Sequence, residues 1–186
     1  MKHYQLGLYE KAMPGTLSWR EKLKTAKRAG FDFVEISIDE SDEKLARLDM
    51  STAERMALVR EMSEAGLPIR SMCLSGHRKY PLGSSDPAVC TRSIEIMEKA
   101  VRLAADLGVR IIQLAGYDVY YEDSTPDTAA RFLENLSLPQ CWRSQSGVLL
   151  GFETMETPFM NTVEKAMRYV KLVDSPYLQA ILTRAI

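Results

Sequence analysis

The stretch STAERMALVREMSEAGLPIRSMCL, Ser51 to Leu74, sets out a complete helix-to-strand unit. Ser51 followed three residues later by Glu54 is a capping box, in which each side chain satisfies the other residue's orphan backbone N–H. Gly66 ends the helical stretch, as a residue tolerant of left-handed geometry should. Pro68 to Leu74 is then a short, apolar, β-leaning run.

The same order recurs on both sides. Ser18 and Glu21 open a helix that Gly30 closes just before Phe31. Asp86-Pro87 supplies a cap and a first-turn proline. There Ile94, Met97, Val101 and Ala104 form one apolar stripe, and Gly108 ends the helix. The strand-like runs are Gln5–Tyr9, Phe31–Ile38, Pro68–Leu74, Val109–Ala115 and Gly147–Glu153. Regular helices between short strands imply parallel strands joined by right-handed crossovers.

Both an open doubly wound sheet and a closed barrel fit such alternation. The first turn, Tyr9 to Gly15, carries neither G-x-G-x-x-G nor a Walker pattern, which weakens a nucleotide-binding sheet. Polar residues instead collect at the carboxyl ends of the runs: Glu10, Glu35, His77, Gln113 and Glu153. A (β/α)₈ barrel builds its active site there. The expected fold is therefore α/β, a partial barrel holding about five β/α units and the start of a sixth. A whole barrel takes about 250 residues, whereas this sequence has 186.

The composition, 46% hydrophobic and 26% charged with a formal net charge of −1, argues against a nucleic-acid surface. Without a signal-like core or an apolar run of about 18 residues, neither secretion nor a membrane span is expected. A cytoplasmic protein is anticipated. Cys73, Cys90 and Cys141 lack close metal-type spacing and are expected to be free thiols.

One segment breaks the pattern. Thr125-Pro126 starts a helix with Ala129, Phe132, Leu133 and Leu136 on its apolar side, but Ser137 to Ser146 contains a proline and no apolar stripe. A neighbouring reading frame of that stretch can spell a strong helix former, and a shifted frame of Ala180 to Ile186 can spell Tyr-Pro-Asp-Thr-Gly-Asn. Residues 1–186 are accordingly expected to be a single incomplete barrel domain, with 137–146 and 180–186 out of frame.

Glu153 ends the apolar run Val148 to Phe152, where a carboxylate would face the mouth of a barrel and could bind a divalent metal or move a proton. A solvated loop acid is the alternative, and the more natural one for nearby Glu156. His77 and Arg78 follow the third run and suit a polar or phosphorylated substrate, or simply the surface. Glu35 lies inside an apolar run, where a charge is costly unless paired or functional. Gln113 fits a pocket wall or a structural pair. Tyr9 and Glu10 are equally open, and Tyr117, Tyr120 and Tyr121 suit loop packing better than a sugar-stacking wall.

At Leu6–Ala12, Gly30–Ser37 and Ile112–Tyr121, with Ser71–Ser75, His77-Arg78, Glu153 and Met160-Asn161, the sequence resembles a known family. The family is that of the L-ribulose-5-phosphate (L-xylulose-5-phosphate) 3-epimerases, in the xylose-isomerase-like barrel superfamily. The likeness runs from Leu6 to Gln179, except for Ser137 to Ser146. It implies a sugar-phosphate 3-epimerase of L-ascorbate or L-gulonate catabolism, using a divalent metal (manganese, zinc or magnesium). Glu153 would be both a metal ligand and one of two acid/base groups, with His77, Arg78, Glu35, Gln113 and Tyr9 binding the substrate. The family's next ligand, in a Tyr-Pro-Asp-x-Gly-Asn motif, and a later histidine and glutamate are not in this sequence. Residues 1–186 are therefore expected to be inactive alone and to dimerise or aggregate through open barrel edges. The rival readings are an aldose–ketose isomerase of the same superfamily and a non-enzymatic fragment.

Overall fold

The computed structural model describes residues 4–138 and 147–182. Its strands are β1 (Gly7–Tyr9), β2 (Phe33–Ile38), β3 (Ile69–Leu74), β4 (Ile111–Ala115), β5 (Leu149–Glu153) and β6 (Leu178–Ile181). The helices are α1 (Trp19–Arg28), α2 (Asp42–Leu45), α3 (Thr52–Ala65), α4 (Pro87–Leu107), α5 (Pro126–Leu136) and α6 (Val163–Val173). The six strands lie in the sequential order β1-β2-β3-β4-β5-β6, every pair parallel. A doubly wound sheet reverses its strand order partway, so this arrangement is the (β/α)₈ barrel pattern, with five β/α units and a sixth strand.

Local sequence explains the boundaries. Ser18 and Ser51 each accept the N–H of the glutamate three residues on, and Glu21 and Glu54 reach back to their N-cap N–H groups at 2.8 and 2.7 Å. Gly66 and Gly108 close α3 and α4 at φ of 61° and 75°, a region where a Cβ is strained. Each chain reversal is thereby fixed within a few residues of the next strand.

The strands' two faces differ. Val34, Ile36, Ile38, Met72, Leu74, Ile112, Leu114, Leu150, Phe152 and Leu178 point toward the helices and are buried. They meet Leu23, Leu58, Ile96, Met97, Leu103 and Leu136 in one core. The Phe132 ring centroid lies 5.9 Å from that of Phe152 and 5.3 Å from that of Tyr169, tying α5 and α6 to β5. The opposite face carries Tyr9, Glu35, Ser37, Ser71, Cys73, Gln113 and Glu153 toward its carboxyl end. Ile111 and Leu149, at its amino end, are 42% and 38% exposed.

Several features lie beyond the sequence reading. The short α2 and the 3₁₀ turn Ala46–Asp49 fill a stretch for which no element was expected. β6 runs on to Ile181, so Ala180 and Ile181, read from sequence as out of frame, pair with Phe152 and Glu153. Ser137 ends α5 as expected, while residues 139–146 and 183–186 lie outside the described residues. Cys73 and Cys90 are free thiols, and Cys141 falls outside the described residues. Among the described residues no helix is long and apolar enough to cross a membrane.

Candidate active site at the carboxyl ends of the strands

A cavity of about 190 Å³ opens at the carboxyl ends of β1, β3, β4 and β5. Its walls include Tyr9, Lys11, Cys73, Ser75, Arg78, Gln113 and Glu153. A larger hollow of about 680 Å³ lies at the opposite end, lined by Phe33, Met62, Leu67, Ile69 and Ile111. The smaller one is the candidate chemical site, because a carboxylate, an amide and two cations converge there and because barrel enzymes react at that end.

Glu153 is the last residue of β5, in register with Ala115 and Ile181. Its Oε2 accepts a hydrogen bond from the Gln113 amide on β4, which fixes the carboxylate against the strand beside it. Glu35 lies between Tyr9 and Ser71 in register and accepts a 2.6 Å hydrogen bond from the Ser71 hydroxyl. Burial pushes the Glu35 carboxyl up; the Ser71 hydrogen bond opposes this and the negative charge of Glu153 adds to it. The Tyr9 hydroxyl pairs with Ser37 Oγ at 3.0 Å, and burial drives its phenol above the ordinary range. Burial likewise raises the Cys73 thiol, which makes it a poor nucleophile at neutral pH.

Arg78 follows β3 in the 3₁₀ turn Ser75–Arg78. Its guanidinium sits 4.6 Å from the centre of the Tyr120 ring, and its buried Nε has no hydrogen-bond partner among the described residues. Lys11 pairs with Asp39 at 2.5 Å on the same rim. The sequence reading did not single out Lys11; its place two residues after Tyr9, in the turn that ends the first strand, was the only signal.

His77 stands apart from the cavity. It is 6% exposed, faces α4, and its Nε2 lies 3.1 Å from the Ser93 carbonyl. Burial pushes its pKa down to about 4, so it is neutral near pH 7. His77, expected from the sequence to contact substrate, packs behind the sheet and does not line this cavity. Of the other residues expected to bind substrate, Arg78, Gln113 and Tyr9 line the cavity and Glu35 lies beneath it. Asn161 accepts from Lys165, and neither it nor Glu156 lines the cavity. Tyr117 is 2% exposed and its ring is tilted against that of Tyr120 with centroids 5.2 Å apart, the geometry of loop packing.

Among the described residues no three His, Cys, Asp or Glu side chains converge to hold a metal ion. Glu153 is the one acid on the cavity wall, so these residues do not by themselves make a metal centre.

Comparison with known proteins agrees with this geometry. The family model described as "Xylose isomerase-like TIM barrel" matches residues 23–182. SgbU of Escherichia coli (strain K12), whose own assignment as an L-ribulose-5-phosphate 3-epimerase is provisional, is 53% identical over 95% of this chain and 62% of its own length. The L-ribulose-5-phosphate 3-epimerase UlaE of Salmonella heidelberg (strain SL476) is 48% identical over 96% of this chain and 63% of its own. Among solved structures, D-psicose 3-epimerase from Clostridium cellulolyticum H10 superposes with a TM-score of 0.77 at 17% identity, covering 95% of this chain and 62% of that one. The chain therefore spans a little over three-fifths of the length of the curated relatives it matches. With the strand order, the matched residues and the identities in agreement, this chain belongs to the xylose isomerase-like TIM barrel family.

Proposed function

We propose that this chain carries the first part of a sugar-phosphate 3-epimerase site, one that interconverts L-ribulose 5-phosphate and L-xylulose 5-phosphate. The observation that carries the reading is Glu153, held by Gln113 on the wall of a cavity that also presents Arg78 and Lys11. Inverting C3 of a ketose phosphate removes a proton beside the C2 carbonyl and returns one on the opposite face. Glu153 is the acid/base group for one face. Arg78 and Lys11 offer positive charge to the phosphate, and Gln113, Tyr9 and Glu35 offer polar contacts to the sugar. The close sequence relatives named as L-ribulose-5-phosphate 3-epimerases support this choice of substrate.

Epimerisation needs a second base for the other face, and the described cavity walls supply Glu153 alone. Residues 1–186 by themselves are therefore proposed to bind the sugar phosphate without turning it over. A divalent cation (manganese, zinc or magnesium) belongs to the proposal as a requirement of the whole barrel, with Glu153 the contribution of this segment. The setting proposed is cytoplasmic L-ascorbate or L-gulonate catabolism.

Calorimetric titration of L-ribulose 5-phosphate tests the reading. Arg78→Met should weaken binding at least about tenfold, as loss of a charge-assisted phosphate contact does. Equal binding by the variant and the wild type would remove the phosphate from that rim. Formation of an aldose phosphate by the longer protein would favour an aldose–ketose isomerase instead.

A further inference from the structure

β1 stops at Tyr9, but β2 continues for three residues past the last register pair, Tyr9↔Glu35. The next three residues of the chain begin with Glu10, which is 1% exposed. Its Oε1 accepts the Ser37 backbone N–H at 3.2 Å, taking the place of a strand partner that β1 no longer supplies. Arg47 Nη1 reaches the same oxygen at 2.6 Å and also donates to the Ser37 carbonyl at 3.1 Å. Lys44 lies 3.3 Å and Lys22 3.6 Å from the carboxylate. Trp19 closes the cluster, its ring 5.3 Å from Lys22 Nζ and 5.1 Å from Arg47 Cζ.

Both neighbours of Glu10 in the chain line the cavity, and each is tied to the end of β2 as well. Tyr9 pairs with Ser37 Oγ, and Lys11 pairs with Asp39. Three consecutive residues are thus fastened to one strand end, and only the middle one turns away from the cavity. Resting on the epimerase reading, we infer that Glu10 is a positioning residue: its buried ion cluster fixes the turn that sets Tyr9 and Lys11 in the cavity wall.

The charge balance makes the role specific. Three cations surround one buried carboxylate, and among the described residues the one other acid paired with any of them, Glu43 at 3.5 Å from Lys44, is largely exposed. Burial lowers the Lys22 ammonium, Glu10 opposes that, and Lys44 and Arg47 add to the lowering. Removing the Glu10 charge leaves like charges facing each other in a dry site, and they relax by pushing the turn outward.

Hydrogen exchange read peptide by peptide on the whole chain, beside titration with L-ribulose 5-phosphate, tests this. In Glu10→Gln the amides of Tyr9 to Met13 should exchange at least about tenfold faster, with those of α3 and β3 unchanged. Affinity for L-ribulose 5-phosphate should fall by a similar factor. Should that variant fail to fold, Arg47→Met keeps an apolar stem on Trp19, removes the nearest cation, and should loosen the same turn. Wild-type exchange in the turn of either folded variant, or faster exchange spread evenly over the domain, overturns the inference. A wild-type chain that binds no sugar phosphate speaks against the epimerase reading alone, because the exchange comparison needs no ligand.

Discussion

Gln113 on β4 donates its side-chain amide to Glu153 on β5, although its register partner is Gly151, two residues earlier. The bond crosses one strand boundary and one step toward the barrel mouth, which turns the carboxylate over the cavity rather than out to solvent. Gln113→Leu should lower the unfolding free energy by about 1.5–3 kcal/mol, the worth of a hydrogen bond to a charged group. Gln113→Glu should cost more, since it sets one carboxylate against another. Urea unfolding measures both, and a Gln113→Glu variant as stable as wild type would mean that the pair does not form in solution.

His77 gives the fold a pH dependence. Its folded pKa of about 4 lies below the unfolded value of 6.5, so the unfolded chain binds the proton more readily. Its contribution is present above pH 6.5 and is lost as pH falls toward 4, at most about 3 kcal/mol. Urea midpoints at pH 7, 5 and 4 should fall for wild type and flatten in His77→Gln. Parallel pH curves for the two proteins would show that His77 is solvated.

Phe152 tests the packing of β5 on α5 and α6. It is fully buried beside Phe132, and truncation to alanine leaves a cavity that the aromatic cluster cannot fill. Phe152→Ala should destabilise by about 3–5 kcal/mol, enough to unfold a marginal domain. A loss below about 1 kcal/mol, measured by denaturant or thermal melting, would contradict the described core.

These results separate what sequence can carry from what it cannot. The place of Glu153 at the end of β5 was readable because it ends an uninterrupted apolar run, and the strand positions were readable because capping boxes and left-handed glycines punctuate the chain at Ser51, Gly66 and Gly108. Such signals act within a few residues. The burial of His77 depends on α4 packing across it, with Ser93 sixteen positions away. The Glu10 cluster joins residues up to thirty-seven positions apart, so in sequence Glu10 looks like any turn acid. The turn after β2 was missed because α2 is only four residues long and shows no helical period.

The sheet has unpaired edges at β1 and β6 among the described residues, and Leu6, Ile111 and Leu149 are 43%, 42% and 38% exposed. Open edges beside apolar side chains favour association. Residues 1–186 should sediment as dimers or larger species that dissociate on dilution, and Leu149→Lys should weaken that association. A monomer at all concentrations would contradict it.

The central claim is that Glu153 moves the C3 proton in a barrel that residues 1–186 only partly build. The direct measurement joins residues 1–179, where the family likeness ends, to the part of the Salmonella heidelberg relative that follows the position matching Gln179. It then follows conversion of L-ribulose 5-phosphate to L-xylulose 5-phosphate with manganese, zinc or magnesium added. The chimera should convert, and Glu153→Gln in the same chimera should lose about 10²–10⁴-fold, the range for a positioned acid/base group. Residues 1–186 alone should form no product. Full activity in the Glu153→Gln chimera, or turnover by residues 1–186 as a monomer, would contradict the account.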